Sequence, residues 1–228
     1  RKAAQQGHAK AQFKLGGMYM LGQGVTLDYA EAVYWYRQAA ERGHAKGQSN
    51  LGVMYKFGKG VVQDDQEAVQ WFRRAAEQGN AEGQVLLAGM YEGGKGVAQD
   101  HAMAADWYRR AAEQGHPKGQ VGLGILHKFG KGAEQDDQAA LHWFRKAARQ
   151  GYMEGQAQLG ALYVQGRGVP KEPLQGYLWL HLAALQGDEK SIKARDLIAE
   201  HMTPDQIQQM QAQAENWRPG ASVLNDEE

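Results

Sequence analysis

The chain has 228 residues with 26 basic and 26 acidic side chains, so its net charge is zero, and it has no cysteine. This balance gives no general attraction to nucleic acid or to an anionic membrane, and no stretch approaches the roughly 18 uncharged apolar residues of a membrane-spanning helix. Because cysteine is absent, disulfides, thiolate metal ligands and cysteine nucleophiles are excluded.

Tryptophan and glycine recur along the chain with a period of 36 residues and without insertions. A period of this length predicts stacked copies of one small unit instead of a single globular core. The tryptophans, which are expected to be buried between helices, are Trp35, Trp71, Trp107, Trp143 and Trp179. The glycines that separate the units are Gly7, Gly43, Gly79, Gly115, Gly151 and Gly187.

The first element, residues 1–7, has the sequence RKAAQQG. It matches the phase of RQAAERG, which begins at Arg37, so we expect it to be the end of a helix whose beginning is missing. Residues 8–187 are expected to form five 36-residue repeats.

Each repeat is predicted to contain two helices, as the unit that ends at Gly79 illustrates. In its first half, apolar residues at helical spacing such as Leu51 predict helix A, and Gly58 is expected to end that helix. In its second half, Asp64 is the predicted N-cap of helix B, which carries an apolar stripe that includes Trp71. Each repeat is therefore expected to be an αα-hairpin. Close approach of a neighbouring helix is expected at small helix-A residues: Gly16, Gly52, Ala88, Gly124 and Gly160.

The end of the chain departs from the pattern. Helix B of the fifth repeat is unusually apolar, with Leu178 and Leu182 where earlier repeats carry polar residues, so we expect it to be covered. The predicted cover is the segment 188–218, a partial sixth repeat followed by a capping helix that starts at Thr203 and ends near Trp217. Residues 219–228 are expected to be a frayed tail.

The repeated pattern A-x-x-x-L-G-x-x-Y-x-x-G-x-G-V-x-x-D-x-x-x-A-x-x-W-[FY]-x-x-A-A-x-x-G resembles the Sel1-like repeat, a relative of the tetratricopeptide repeat. It appears as QSNLGVMY in helix A and AVQWFRRAA in helix B of the second repeat. The resemblance implies an all-α fold, a right-handed α-solenoid of about five to six αα-hairpins with a C-terminal capping helix. It also implies protein–protein interaction, often in bacterial envelopes, signalling complexes or host contact. Some members of the family resemble immunity proteins that block secreted phospholipase effectors.

Positions that change between repeats are free for a role other than building the fold. On helix A these positions recur at spacings of three and four residues, which places them on one face. In the family that the chain resembles, this face is the concave side, so we hypothesise a partner-binding groove there. The alternative, that these side chains pack between adjacent A helices, stays open. The candidate residues are Phe13, Lys14, Met20, Asn50, Lys56, Phe57, Leu86, Glu92, Val121, Ile125, Lys128, Phe129, Gln158 and Gln165.

Other motifs favour structural roles. The loop cations Lys59, Lys95, Lys131 and Arg167 lie near the C-terminal end of helix A, where the helix dipole favours positive charge. Histidines in successive repeats are expected to lie too far apart to share a metal ion, and no H-E-x-x-H motif is present. The acidic pairs at Asp64 and Asp136 are interpreted as helix caps, and no G-x-S-x-G motif occurs.

The sequence therefore predicts a non-enzymatic module that binds a protein or peptide, with no cofactor, metal, nucleic acid or membrane span. Alternatives are an immunity protein that occludes a secreted effector, a scaffold in an envelope or signalling complex, and, least favoured, a hydrolase. The family suggests a bacterial periplasm or cell envelope. The oligomeric state stays open.

Overall fold

The computed structural model describes residues 1–220, and within that range the chain forms 13 α-helices and no strand. The remainder of the predicted tail, beyond Gly220, lies outside the described residues. The helices are α1 Lys2–Gln5, α2 Ala9–Leu21, α3 Tyr29–Glu41, α4 Ala45–Phe57, α5 Asp65–Glu77, α6 Ala81–Gly93, α7 His101–Glu113, α8 Pro117–Phe129, α9 Asp137–Arg149, α10 Met153–Gln165, α11 Pro173–Leu185, α12 Glu189–Ala199 and α13 Pro204–Asn216.

The chain divides into two compact units, Arg1–Gln114 and the residues from Gly115 onward. In the first unit, hairpins α2–α3, α4–α5 and α6–α7 follow one another, and each later helix A packs against the preceding helix B. Helices α4 and α6 also touch, so these A helices are neighbours. In the second unit, hairpins α8–α9 and α10–α11 pack in the same way, and both α12 and α13 pack against α11.

Local signals explain where the hairpin helices begin and end. The Asp64 carboxylate accepts hydrogen bonds from the amides of Gln66 at 2.9 Å and Glu67 at 3.0 Å, which confirms the predicted N-cap. Gly58 ends α4 with a φ of 62°, a left-handed conformation that glycine adopts without a steric penalty. The predicted start of the last helix is also confirmed, because Thr203 and Gln206 form a capping box.

The core of each of the first four hairpins contains a leucine of helix A and a ring of helix B. Leu51 and Phe72 are both fully buried. A Cβ atom added at Gly52 would lie 2.5 Å from the Phe72 ring, so the small residue allows the two helices to approach closely. In α3, α5 and α9 the deepest ring is therefore the residue that follows the tryptophan.

The tryptophans are less uniformly buried than predicted. Trp179 is fully buried, but Trp35 and Trp143 are only half-buried. In three of the B helices a cation three residues later lies over the tryptophan ring, at Trp71, Trp107 and Trp143. The Arg74 guanidinium, for example, lies 4.5 Å from the centre of the Trp71 ring.

The last two helices cover the apolar helix α11. Leu178 and Leu182 are buried, and Met210 and Ala214 of α13 belong to the same core cluster. The rings of Trp217 and Trp179 meet edge to face at 6.2 Å. Leu185, the last residue of α11, is 64% exposed.

Candidate functional site

The candidate residues of the first unit lie on helices α2, α4 and α6. Lys14 and Phe57 are exposed, whereas the others are half-buried. Two of them contact other helices: the Phe13 ring stacks on the His44 ring of the next hairpin at 4.7 Å, and Glu92 accepts a hydrogen bond from the Tyr108 hydroxyl of its own hairpin at 3.0 Å. The half-buried set of this unit is Phe13, Met20, Asn50, Lys56, Leu86 and Glu92.

The candidate residues of the second unit lie on α8 and α10. Phe129 and Gln165 are exposed, and Ile125, Lys128 and Gln158 are half-buried. The prediction was wrong for Val121, which is 3% exposed and belongs to the core cluster of this unit, so it offers no surface to a partner. Its apolar side chain fills space between hairpins.

Lys128 occupies a polar junction between α8 and the following repeat. Its ammonium donates to Oε1 of Gln158 at 3.1 Å. The Arg167 guanidinium forms an ion pair with Asp137 at 2.6 Å and donates to the Lys128 carbonyl at 3.1 Å. Burial lowers the pKa of Lys128 and the charge of Arg167 lowers it further, while Asp137 raises it. Arg167, interpreted from sequence as a solvated loop residue, therefore links two repeats.

The most prominent exposed apolar side chains of these helices occupy one repeat position, the last residue of helix A. Phe57 is 59% exposed, Phe129 is 57% exposed and Leu21 is 57% exposed. The Lys56 ammonium lies 5.4 Å from the centre of the Phe57 ring, and the Lys128 ammonium lies 5.6 Å from that of Phe129. Sequence variability identified both phenylalanines, but Leu21 was absent from the candidate set.

A cleft in the second unit was not anticipated from the sequence. It has a volume of about 420 Å³ and lies between the end of α10, the beginning of α11, and α12. Gln165 is the single candidate residue that lines it. The residue that could have indicated this cleft from the sequence is Leu180, which replaces the ring that helix B carries in the other repeats.

No group of three or more potential histidine or carboxylate ligands is close enough to hold a metal ion among residues 1–220. His44, part of the recurring histidine series, caps α4 by accepting a hydrogen bond from the Gly47 amide at 3.1 Å. Within the described part of the chain, helices long and apolar enough to cross a bilayer are absent.

Comparison with known families gives one match that repeats along the chain. The Sel1 repeat matches residues 9–44, 45–80, 81–116, 117–152 and 154–188. Comparison with curated proteins gives no match. The predicted resemblance and the predicted all-α class of repeated hairpins, the class of Sel1 repeat solenoids, are both confirmed.

Several solved structures are similar to the chain. The first is c5321, a protective antigen of uropathogenic Escherichia coli with an SLR fold, at 38% identity and a TM-score of 0.83 over 95% of this chain and 47% of c5321. The chain thus spans about half the length of that protein. A Sel1 repeat protein from Oxalobacter formigenes has 29% identity and a TM-score of 0.81 over 96% of this chain and 88% of its own. Immunity protein Pa5087 from Pseudomonas aeruginosa shares the fold, with 23% identity and a TM-score of 0.55 over 80% of this chain and 67% of its own.

Proposed function

Because the chain belongs to the Sel1 repeat family, we propose that it is a non-enzymatic module that binds a protein or peptide through the exposed ends of its A helices. The observation that carries this proposal is the pair of phenylalanines at one repeat position, Phe57 and Phe129, each more than half exposed. The hairpin core does not use either ring. Aromatic side chains that are exposed in this way are enriched in protein interfaces.

The energetics favour apolar docking with some charge selectivity. Full burial of a phenylalanine side chain contributes about 1.5–3 kcal/mol, so two rings supply a useful part of a micromolar affinity. Each ring has a lysine ammonium within 6 Å of its centre, at Lys56 and Lys128. The matching partner surface is therefore apolar with a carboxylate nearby.

Site-specific cross-linking tests this proposal. A photoreactive benzoyl-phenylalanine is placed at Phe57 or Phe129, and the full chain is irradiated in the cells that natively produce it. Tyr34 is the matched control, because it is a 53% exposed aromatic residue on helix B. We expect one protein to be cross-linked at positions 57 and 129 and not at position 34.

The purified partner then gives the quantitative test. Replacing Phe57 or Phe129 with serine should weaken binding about ten-fold each, a loss of about 1.4 kcal/mol. Replacing Tyr34 with serine should leave the affinity unchanged. Cross-linking through Tyr34 alone would place the binding surface on helix B. Serine variants that bind as tightly as the parent chain would refute the role of the two phenylalanines.

Narrower roles are separate proposals. The immunity role of Pa5087 belongs to that protein, and its 23% identity to this chain supports a shared fold alone. The two narrower alternatives are therefore occlusion of a secreted effector and scaffolding. The identity of the cross-linked partner distinguishes between them. A periplasmic or envelope location is part of the same proposal, and cell fractionation tests it.

A further inference from the structure

The cleft of the second unit is an apolar site with a defined floor and walls. Leu180, which is 4% exposed, forms its floor. Val164 of α10 lines one wall, and Leu197 and Ile198 of α12 line the other. Leu197 is 63% exposed, so the cleft opens to the surface. Its volume of about 420 Å³ lies within the range of ligand-binding pockets.

The open space lies where the fifth repeat lacks the ring that the other repeats carry. In the hairpin that precedes it, Phe144 is fully buried beneath helix A. Leu180 occupies the same repeat position but lacks a ring, so less volume is filled. The side chains at this position in the other four repeats are Tyr36, Phe72, Tyr108 and Phe144.

One lysine and one histidine lie on the rim of the cleft. Lys171 and His201 are the titratable side chains that line it, and both are exposed. Among residues 1–220, Lys171 forms no ion pair. The fifth repeat differs from the others at two positions of the cleft. Leu180 stands in place of a ring, and Lys171 stands where three other repeats carry glutamine. Those glutamines are Gln63, Gln99 and Gln135.

We propose that this cleft binds a short segment of a partner protein in which a bulky apolar side chain precedes a carboxylate. This inference rests on the proposed function, because Gln165, which lines the cleft, has the repeat position of Phe57 and Phe129. The apolar side chain replaces water above Leu180, and the carboxylate pairs with the Lys171 ammonium. The exposed Leu197 and Lys171 leave room beside the cleft for the peptide backbone to continue along the surface.

Two labelled peptides test the proposal directly. One is a fluorescein-labelled Gly-Gly-Leu-Phe-Asp-Asp amide, and the other replaces both aspartates with lysines. Fluorescence anisotropy with the full chain should show the aspartate peptide binding about ten-fold more tightly. Equal binding of the two peptides, or no binding of either at about millimolar concentration, would overturn the proposal.

Variants taken from the chain itself provide matched controls. Leu180→Phe restores the ring of neighbouring repeats, so the protein should fold and lose peptide affinity about ten-fold or more. Lys171→Gln restores the residue of three other repeats, and it should remove the preference for the aspartate peptide while keeping apolar binding. Leu197→Glu alters an exposed rim residue, so it should fold even if Leu180→Phe does not, and it should weaken the aspartate peptide most.

Other occupants give distinct outcomes. Binding of dodecanoate but of neither peptide would assign the cleft to a lipid chain, and dimerisation that Leu180→Phe abolishes would assign it to a second copy. Tighter peptide binding after replacement of Val223 and Leu224 with serine would assign it to the end of this chain. Each result would overturn the inference. A cross-linked partner that binds Leu180→Phe as it binds the parent chain would refute the cleft alone and leave the proposed function standing.

Discussion

Gln78 donates a hydrogen bond from Nε2 to Oε1 of Gln48 at 2.7 Å. Gln48 is buried, and its own Nε2 donates to the carbonyl of Ala40 at 3.1 Å. A short chain of hydrogen bonds therefore joins the ends of two successive B helices through the helix A between them. The same pairing occurs between Gln114 and Gln84 at 2.8 Å.

Replacing Gln48 with alanine should destabilise the protein by about 1–3 kcal/mol, because it removes two hydrogen bonds, one to the Ala40 carbonyl and one from the Gln78 amide. Urea unfolding followed by circular dichroism measures this change. The control is Gln70→Ala on the exposed face of α5, with an expected effect below about 0.5 kcal/mol. Equal effects of the two substitutions would contradict the role of the glutamine pair.

The first repeat lacks this pairing and offers a gain of stability. Arg42 occupies the repeat position of Gln78, and Oε1 of the buried Gln12 has no hydrogen-bond partner. Arg42→Gln should supply the donor and raise the free energy of unfolding by about 1 kcal/mol. Arg42→Ala is the control and should give no gain. An unchanged midpoint of urea unfolding for Arg42→Gln would contradict the predicted hydrogen bond to Gln12.

Close packing at Gly52 predicts that a conservative change is harmful. A Cβ atom there would lie 2.5 Å from Cε1 of Phe72 and 3.2 Å from the Ala68 carbonyl. Gly52→Ala should cost about 1–3 kcal/mol, more than the gain of about 1 kcal/mol in helix propensity. At Gly89, where the nearest atom would be the Tyr108 hydroxyl at 3.8 Å, alanine should instead stabilise. Thermal melts of both variants decide whether the two signs differ.

Adjacent aromatic residues of α9 should differ in their contribution to stability. Phe144 is fully buried, so Phe144→Ala should cost about 3–5 kcal/mol. Trp143 is half-buried, with the Lys146 ammonium 4.8 Å from its ring centre. Trp143→Ala should therefore cost at least about 1 kcal/mol less. Chemical denaturation of the two variants provides the comparison, and a larger loss for the tryptophan would reverse this ranking.

A buried histidine predicts loss of stability in mild acid. Burial lowers the pKa of His181 below its ordinary value of 6.5, and Arg195 lowers it further, while Glu215 raises it. The unfolded chain then takes up a proton that the folded chain resists, so stability falls as the pH drops through and below 6.5. His181→Gln should remove this contribution. Melting temperatures from about pH 7 to about pH 5 should fall more steeply for the parent chain, and parallel curves would exclude this contribution.

The repeats made much of the fold predictable, because each packing position occurs five times. Every repeat carries leucine at the position of Leu51 and glycine or alanine at the position of Gly52, so the repeat position alone was enough to assign both residues to the core. The candidate surface was harder to predict. Variability at the phase of Val121 was interpreted as freedom to bind, but a side chain between hairpins also varies when its neighbours vary. Burial at that position depends on three-dimensional packing that the one-dimensional pattern does not contain.

The cleft illustrates the same limit. The substitution at Leu180 is visible in the sequence, but the space it leaves could have been filled by α12. Whether it was filled depends on where Leu197 and Ile198 lie relative to α10, which spacing along the chain does not determine. Trp143 differs from prediction for a related reason, since the Lys146 ammonium lies over a ring that helical phase alone would bury.

The loop glycines restrict how this chain can change in length. Gly60 lies against the backbone of Tyr29 in the preceding hairpin, where any side chain would meet the carbonyl, and Gly96 contacts Asp65 in the same way. One added residue in such a loop would shift the glycine away from this backbone contact and place a bulkier residue against the carbonyl. Duplication or deletion of a complete hairpin keeps a glycine at each of these contacts. Evolution can therefore lengthen or shorten the array in whole hairpins far more readily than it can alter the spacing within one.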